Sequence, residues 1–254
     1  MKIALVTGAS SGLGREFVRQ LALQNLDEIW VIARRAERLE ALQREVPARL
    51  RILAYDLTKD GSVASVKALL EAYHPQVKLL VNAAGFGKFG SCQQLLEQDL
   101  RDMMALNMEA VVCLSKVVLP YMPRGGRIIN MASMAAFQPL PYFSLYAATK
   151  AFVLSYSRAL HVELKPRNIS VTAVCPGFVD TEFIQVARRT KRPDGCTHYW
   201  PLYRPQEVVR RALIDSYRRR DISVYGLNTN IKRFLAKISP QPLTNAVWMW
   251  LRNR

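Results

Sequence analysis

The chain has 254 residues, half of them apolar and 22% charged, without repeats, low-complexity tracts or Gly/Ser linkers. That balance excludes a disordered or fibrous protein and supplies enough apolar surface for a sizeable core. The net charge is +16, and residues 187–254 carry 15 basic against 4 acidic side chains, a local balance of +11.

In chain order the pattern reads strand 3–6, helix 13–23, strand 28–33, helix 36–45, strand 50–55, helix 62–73 and strand 78–81. It continues with a long helix 99–121, strand 126–131, helix 146–165, strand 169–175, helix 205–219 and a short strand 221–225. Continuously apolar strands alternating with helices predict a parallel sheet covered on both faces, and right-handed crossovers wind it doubly. Ligands in such folds sit at the carboxyl ends of the strands, so the residues that follow each strand carry the functional reading.

After the first strand come Gly8, Ser10, Ser11, Gly12, Leu13 and Gly14, in GxxxGxG spacing at the start of a helix. Glycines let the backbone approach a pyrophosphate, and a helix N-terminus offers it free N–H groups. An ordinary glycine-rich turn is the alternative. After the second strand stand Arg34 and Arg35, where an NAD-binding fold places an acid. Guanidinium matches a 2′-phosphate in geometry and charge, so the pair predicts NADP(H); a solvated helix start is the alternative. Asp56 and Leu57 follow the third strand, Asp56 as an acceptor for an adenine amino group. Asn82, Ala83 and Gly85 follow the fourth, where a cofactor passes close to the backbone.

Ser133 follows the fifth strand, and 13 residues later Tyr146 and Lys150 share one helix face at i and i+4. A free phenol, with a pKa near ~10, is a poor base at neutral pH, and a nearby ammonium lowers that value. This reading makes Tyr146 the proton donor or acceptor. Lys150 tunes it and reaches the ribose of a cofactor, and Ser133 polarises the substrate oxygen.

Together, TGASSGLG at 7–14, NAAG at 82–85, Asn107 within ALNMEA, Ser133, YAATK at 146–150 and PGFVDT at 176–181 resemble the short-chain dehydrogenase/reductase family in order and approximate spacing. The resemblance is strong over residues 1–181 and holds in outline beyond. It implies a single Rossmann-like α/β domain over 1–254, doubly wound, with a seven-stranded parallel sheet flanked by helices. It implies an NADP(H)-dependent oxidoreductase that interconverts a ketone or aldehyde and an alcohol, with Asn107, Ser133, Tyr146 and Lys150 as the catalytic set. By the same resemblance Asn107 kinks its helix and holds a water in a proton relay with Lys150. Pro176, Gly177, Val179 and Thr181 join the cofactor site, Val179 and Thr181 at the carboxamide. A homodimer or homotetramer is implied as well. The alternatives are a non-catalytic dinucleotide-binding regulator and a basic nucleic-acid-binding protein. The second rests on charge alone, since no nucleic-acid motif accompanies it, and no nucleic-acid partner is expected.

Substrate choice is expected in a lid at about 182–204, where Phe183, Ile184, Tyr199 and Trp200 stand beside Arg188, Arg189, Lys191 and Arg192. That mixture suits a lipophilic ketone, steroid-like or an acyl thioester, with an acidic tail for the basic cluster; a solvated loop is the alternative. The basic amphipathic segment 227–254 carries Phe234, Leu235, Ile238, Val247, Trp248, Trp250 and Leu251. It is expected to pack over the substrate site or against another subunit, with peripheral membrane contact as the lesser alternative. Cys92, Cys113, Cys175 and Cys196 show neither CxxC nor metal-ligand spacing, which reads as reduced thiols in a cytoplasmic protein with no metal. The opening apolar run stops at Thr7 and Gly8, too short for a signal peptide, and no stretch is expected to approach the ~18 apolar residues of a membrane span.

Overall fold

The computed structural model describes residues 1–190 and 199–252. The strands are β1 (Lys2–Thr7), β2 (Glu28–Ile32), β3 (Leu50–Leu53), β4 (Gln76–Asn82), β5 (Arg127–Met131), β6 (Ser170–Val174), a short pair β7 (Phe178–Val179) and β8 (Leu202–Tyr203), and β9 (Ile222–Ser223). Seven of them form one parallel sheet in the order β3-β2-β1-β4-β5-β6-β9, and β7 pairs with β8 apart from it. The sequence of connections reverses direction between β1 and β4, and this reversal opens a crevice at their carboxyl ends.

The middle of each long strand is mostly apolar because both faces of the sheet are covered. Successive side chains alternate: Ala4 and Val6 face one layer, Ile3 and Leu5 the other. The first layer holds α1 (Gly12–Leu21), α2 (Ala36–Glu45) and α8 (Pro205–Tyr217), which contribute Phe17, Leu39 and Val209. The second holds α3 (Ser62–Tyr73), α5 (Ala110–Val118) and α6 (Ser144–Glu163), which contribute Leu70, Leu114 and Leu160.

The expected helix over 99–121 is not one regular helix. It runs as α4 (Glu97–Met104), a π-helical turn Ala105–Glu109, α5 and a 3-10 turn Leu119–Tyr121. The wide turn falls at Asn107, whose side chain reaches out of the helix. Its Nδ2 donates to the Phe86 carbonyl at 2.9 Å, and its Oδ1 accepts from the Phe86 N–H at 3.1 Å. By length and mean hydropathy, Glu97–Tyr121 meets the measure of a membrane-crossing helix, contrary to the expectation from composition. Here its Ala110, Leu114 and Val118 pack on the sheet instead.

Beyond β6 lie α7 (Glu182–Arg188), α9 (Leu227–Ile238) and α10 (Gln241–Arg252). α10 is tied back to the body of the molecule by Trp248, whose Nε1 donates to the Pro141 carbonyl at 2.9 Å. The Trp248 side chain is buried with Phe89, Phe143, Tyr146 and Ala187.

Candidate active site

The carboxyl ends of β1, β4, β5 and β6 open into a cavity of about 990 Å³. At one end the backbone does the shaping. Gly8 has φ +69°, and a Cβ there would lie 2.8 Å from the Ala84 N–H nitrogen, so only glycine lets the turns after β1 and β4 come together. The Thr7 hydroxyl fixes the same approach by accepting from Ala84 N at 3.0 Å. A Cβ on Gly14 would overlap the Gly8 carbonyl. α1 then starts without a side-chain cap and without an acid in its first turn. Its leading N–H groups and positive dipole end are left beside the cavity, a cradle that fits a dinucleotide pyrophosphate.

Ser10, Ser11, Leu13, Arg34, Arg35, Asp56 and Leu57 line this end, with Ala83 and Gly85 opposite. The Arg35 guanidinium donates to Ser11 Oγ at 3.1 Å, Ser10 Oγ at 3.2 Å and Glu182 Oε2 at 3.2 Å. Arg38 holds the other Glu182 oxygen. Hydrogen bonds from Arg38 and then Arg35 outweigh partial burial and keep the Glu182 carboxyl below the usual range. Arg34 is mostly exposed at the rim, 3.8 Å from Asp56 Oδ2. Burial alone would raise Asp56; Thr58, through its N–H and hydroxyl, together with Arg34 lowers it.

Asn82, in the stretch 82–85 expected to let a cofactor pass close to the backbone, turns its side chain away from the cavity. It is buried and lines no part of the cavity, and its Nδ2 donates to Asn130 Oδ1 at 2.8 Å and Ser115 Oγ at 3.3 Å. The last residue of a strand points into one layer or the other, and Asn82 points inward, where it ties β4 to β5 and α5. Pro176, Gly177, Val179 and Thr181 line the far wall.

Ser133, Tyr146 and Lys150 meet midway along the cavity. Ser133 caps a 3-10 turn (Met134–Phe137), its Oγ accepting from Ala135 N at 3.1 Å while it also hydrogen-bonds the Tyr146 phenol. Tyr146 and Lys150 are both buried on α6. Lys150 Nζ donates to the Met131 carbonyl at 2.7 Å. Burial pushes the Tyr146 phenol up to about 12 despite the Ser133 hydrogen bond, and pulls the Lys150 ammonium down to about 8. The expected lowering of Tyr146 by Lys150 is therefore not realised. The ammonium is turned to Met131 and stands 5.6 Å from the Tyr146 ring centroid, and the apolar surroundings disfavour both charges.

Asn107 lies behind the wall, fully buried, with Nδ2 also donating to Thr149 Oγ1 at 3.1 Å. The Thr149 hydroxyl donates in turn to the Tyr146 carbonyl at 2.8 Å. Asn107 and Lys150 both pack against Gly85, where a Cβ would lie 2.9 Å from Asn107 Oδ1 and 3.4 Å from Lys150 Nζ.

Sequence reasoning named Phe183 and Trp248 but missed Phe89 and Phe143, which complete an aromatic wall. Phe89 stacks on Phe143 at 4.1 Å and Phe143 on Tyr146 at 4.3 Å between ring centroids, with Phe183 tilted against Tyr146 at 5.3 Å. Gly87 permits this closure, since a Cβ there would lie 2.7 Å from Phe143 Cζ. The available signal was Phe143, one helical turn before Tyr146. Helix α7 brings Phe183 and Ile184 to the cavity and is pinned by Phe89 N to the Ala187 carbonyl (2.9 Å) and Lys88 Nζ to the Arg189 carbonyl (2.8 Å). Of the basic residues expected in a lid, Arg189 lines the cavity and Arg188 is exposed away from it; Lys191 and Arg192 lie outside the described residues. Trp200 stands exposed at the rim, and Tyr199 packs edge-on against Phe178. α9 and α10 complete the roof with Lys232, Leu235, Leu243, Val247 and Trp248.

Comparison with characterised families matches residues 2–192 to the short chain dehydrogenase model. The chain is similar to the 3-oxoacyl-acyl-carrier-protein reductase of Escherichia coli, 32% identical over 193 residues, or 75% of this chain and 79% of that protein. It is 33% identical over 184 residues to a 3-ketodihydrosphingosine reductase of Bacteroides thetaiotaomicron, which covers 72% of this chain and 65% of the relative. Among solved structures, a short-chain dehydrogenase from Sphingobium yanoikuyae in complex with NADPH aligns with a TM-score of 0.79 at 29% identity, covering 95% of this chain and 97% of that one.

Proposed function

The chain belongs to the short-chain dehydrogenase/reductase family, oxidoreductases of alcohol and carbonyl groups, and we propose that it reduces a lipophilic ketone with NADPH, Tyr146 donating the proton. The observation that carries this reading is a phenol, raised to about 12 by burial, beside Ser133 in an apolar cavity. At neutral pH that phenol keeps its proton, which suits a donor to a developing alkoxide.

When bound, the nicotinamide supplies the hydride; the remaining work falls to side chains. Ser133 Oγ and the Tyr146 hydroxyl converge on the carbonyl oxygen and stabilise the charge that grows there, and Tyr146 passes its proton to that oxygen. Below about pH 8 Lys150 is an ammonium, held on the Met131 carbonyl at the floor of the site. Lys150 would also hold the ribose. Asn107 positions rather than reacts: it fixes the Phe86 backbone and, through Thr149, the turn of α6 that carries Tyr146.

The choice of NADPH over NADH rests on Arg34 and Arg35 as the 2′-phosphate partners, because the fold itself holds either dinucleotide. The choice of a lipophilic ketone rests on Phe143, Phe183, Leu243 and Trp248 in the cavity wall. Two relatives are named for ketones of this kind, a 3-oxoacyl group and 3-ketodihydrosphingosine. A panel of steroid ketones, 3-oxoacyl thioesters and small aldehydes, followed by NADPH absorbance, tests the reading. It predicts turnover on the lipophilic members and tighter binding of NADPH than NADH. Tight NADPH binding with no oxidation across the panel would make the protein a dinucleotide-binding regulator instead.

A further inference from the structure

α9 and α10 turn one side to the cavity and another to water, and the watery side is apolar. On α9, Thr229 is buried and Arg233 and Ala236 are half-buried. Leu227, Ile231, Phe234 and Ile238, spaced four, three and four residues apart, stand 47–78% exposed. On α10, Thr244 and Trp248 point inward, while Leu243, Val247 and Trp250 are each about half exposed. Each spacing is a single helical stripe, and a helix facing only water carries polar residues there. Exposed apolar stripes grouped in this way mark a docking surface.

The charge around the stripes identifies what docks. Residues 222–254 contain five Lys or Arg and no Asp or Glu. Lys232 and Lys237 are exposed on α9 itself. A second copy of this chain would set one acid-free surface against another, with like charges opposed. An anionic lipid surface complements both features, taking the apolar stripes into its acyl boundary and the ammonium groups among its phosphates. Trp250, apolar with a polar edge, suits that boundary. The cavity opens on the same side, because Leu235, Leu243 and Val247 line it and are exposed as well.

We propose that the α9–α10 pair is a peripheral docking surface for anionic membranes, with the mouth of the active-site cavity held against the lipid. Docking is independent of which substrate the cavity takes, so lipid binding and turnover fail separately. The test is co-sedimentation of the full chain with vesicles of phosphatidylcholine alone and of phosphatidylcholine mixed with phosphatidylglycerol. Binding is expected on the mixed vesicles, is weak on phosphatidylcholine, and falls at high salt. Phe234→Ser combined with Ile238→Ser, neither of which touches the cavity, should weaken binding by about tenfold or more, with NADPH affinity and melting temperature unchanged. Lys237→Gln should weaken it about fivefold on the mixed vesicles alone. Absence of co-sedimentation, or equal binding by the double variant, overturns the proposal. So does a concentration-dependent dimer, formed without vesicles, that the double variant abolishes; that result would assign the surface to a second copy.

Discussion

The two ends of the cavity are built on different principles. The end formed by the turns after β1 and β4 is shaped by backbone: Gly8 and Gly14 stand where a Cβ would strike a neighbouring main chain. The other end is shaped by side chains from four separate segments, with Phe89, Phe143, Phe183 and Trp248 gathered around Tyr146. Backbone demands are local and leave a fixed spacing of glycines. An aromatic wall needs only bulk at the right place in space, which many sequences supply. Tyr146, Ser133 and Lys150 sit at the joint between the two.

Titrating Lys150 is the most demanding test of that joint. Its folded pKa falls from 10.5 to about 8 through burial. Between those values the unfolded chain keeps a proton that the folded chain has released, so folding stability rises with pH in that window. Burial of Cys175 and Tyr146, both raised to about 12, lowers stability above about pH 9 in wild type and Lys150→Met alike. That term is common to both proteins apart from the Lys150–Cys175 interaction, which is smaller than the burial of either group. Wild type should therefore gain about 3 kcal/mol on Lys150→Met from pH 8 to 10.5, read from denaturant titrations across pH. A flat difference would show Lys150 to be well solvated, and the joint to be wet.

Next in size are substitutions that separate the two ends. Replacing Arg34 and Arg35 together by Ala should weaken NADPH by about 100-fold while NADH affinity stays within a few-fold, measured by fluorescence titration. Equal losses for both cofactors would mean that Arg35 serves the loop through Ser10, Ser11 and Glu182 and not a 2′-phosphate. The smallest effect belongs to the opposite end. Trp248→Ala should raise KM for a lipophilic ketone about tenfold, by removing apolar wall, and leave NADPH affinity unchanged. A matching drop in NADPH affinity would erase the distinction between the two ends.

The same distinction accounts for what was legible in the sequence. Strand–helix alternation predicted the parallel sheet because buried strands must be apolar on both faces, and the boundaries of α2 and α3 agree to the residue. Strand β9 shrank from an expected five residues to Ile222–Ser223, since an edge strand needs only a short ladder to dock. Ser133, Tyr146 and Lys150 were found together because two of them share a helix face and the third follows a strand. The inward turn of the Asn82 side chain was not legible, because spacing says which residue ends a strand but not which way it points. The shift of Tyr146 upward was missed for a related reason: burial depends on Phe143, which no local motif announces, and on how closely Phe183 approaches, which its position in the sequence does not give. Glu182, gripped by Arg35 and Arg38, was likewise invisible, its partners being more than a hundred residues away.

The central claim is that Tyr146 delivers the proton. Its most direct test is single-turnover oxidation of bound NADPH by a lipophilic ketone, in wild type and Tyr146→Phe. The predicted result is an unchanged NADPH dissociation constant with the turnover step slowed by about 10²–10⁴-fold, the usual contribution of a positioned acid. A Tyr146→Phe variant that turns over within a few-fold of wild type would contradict it.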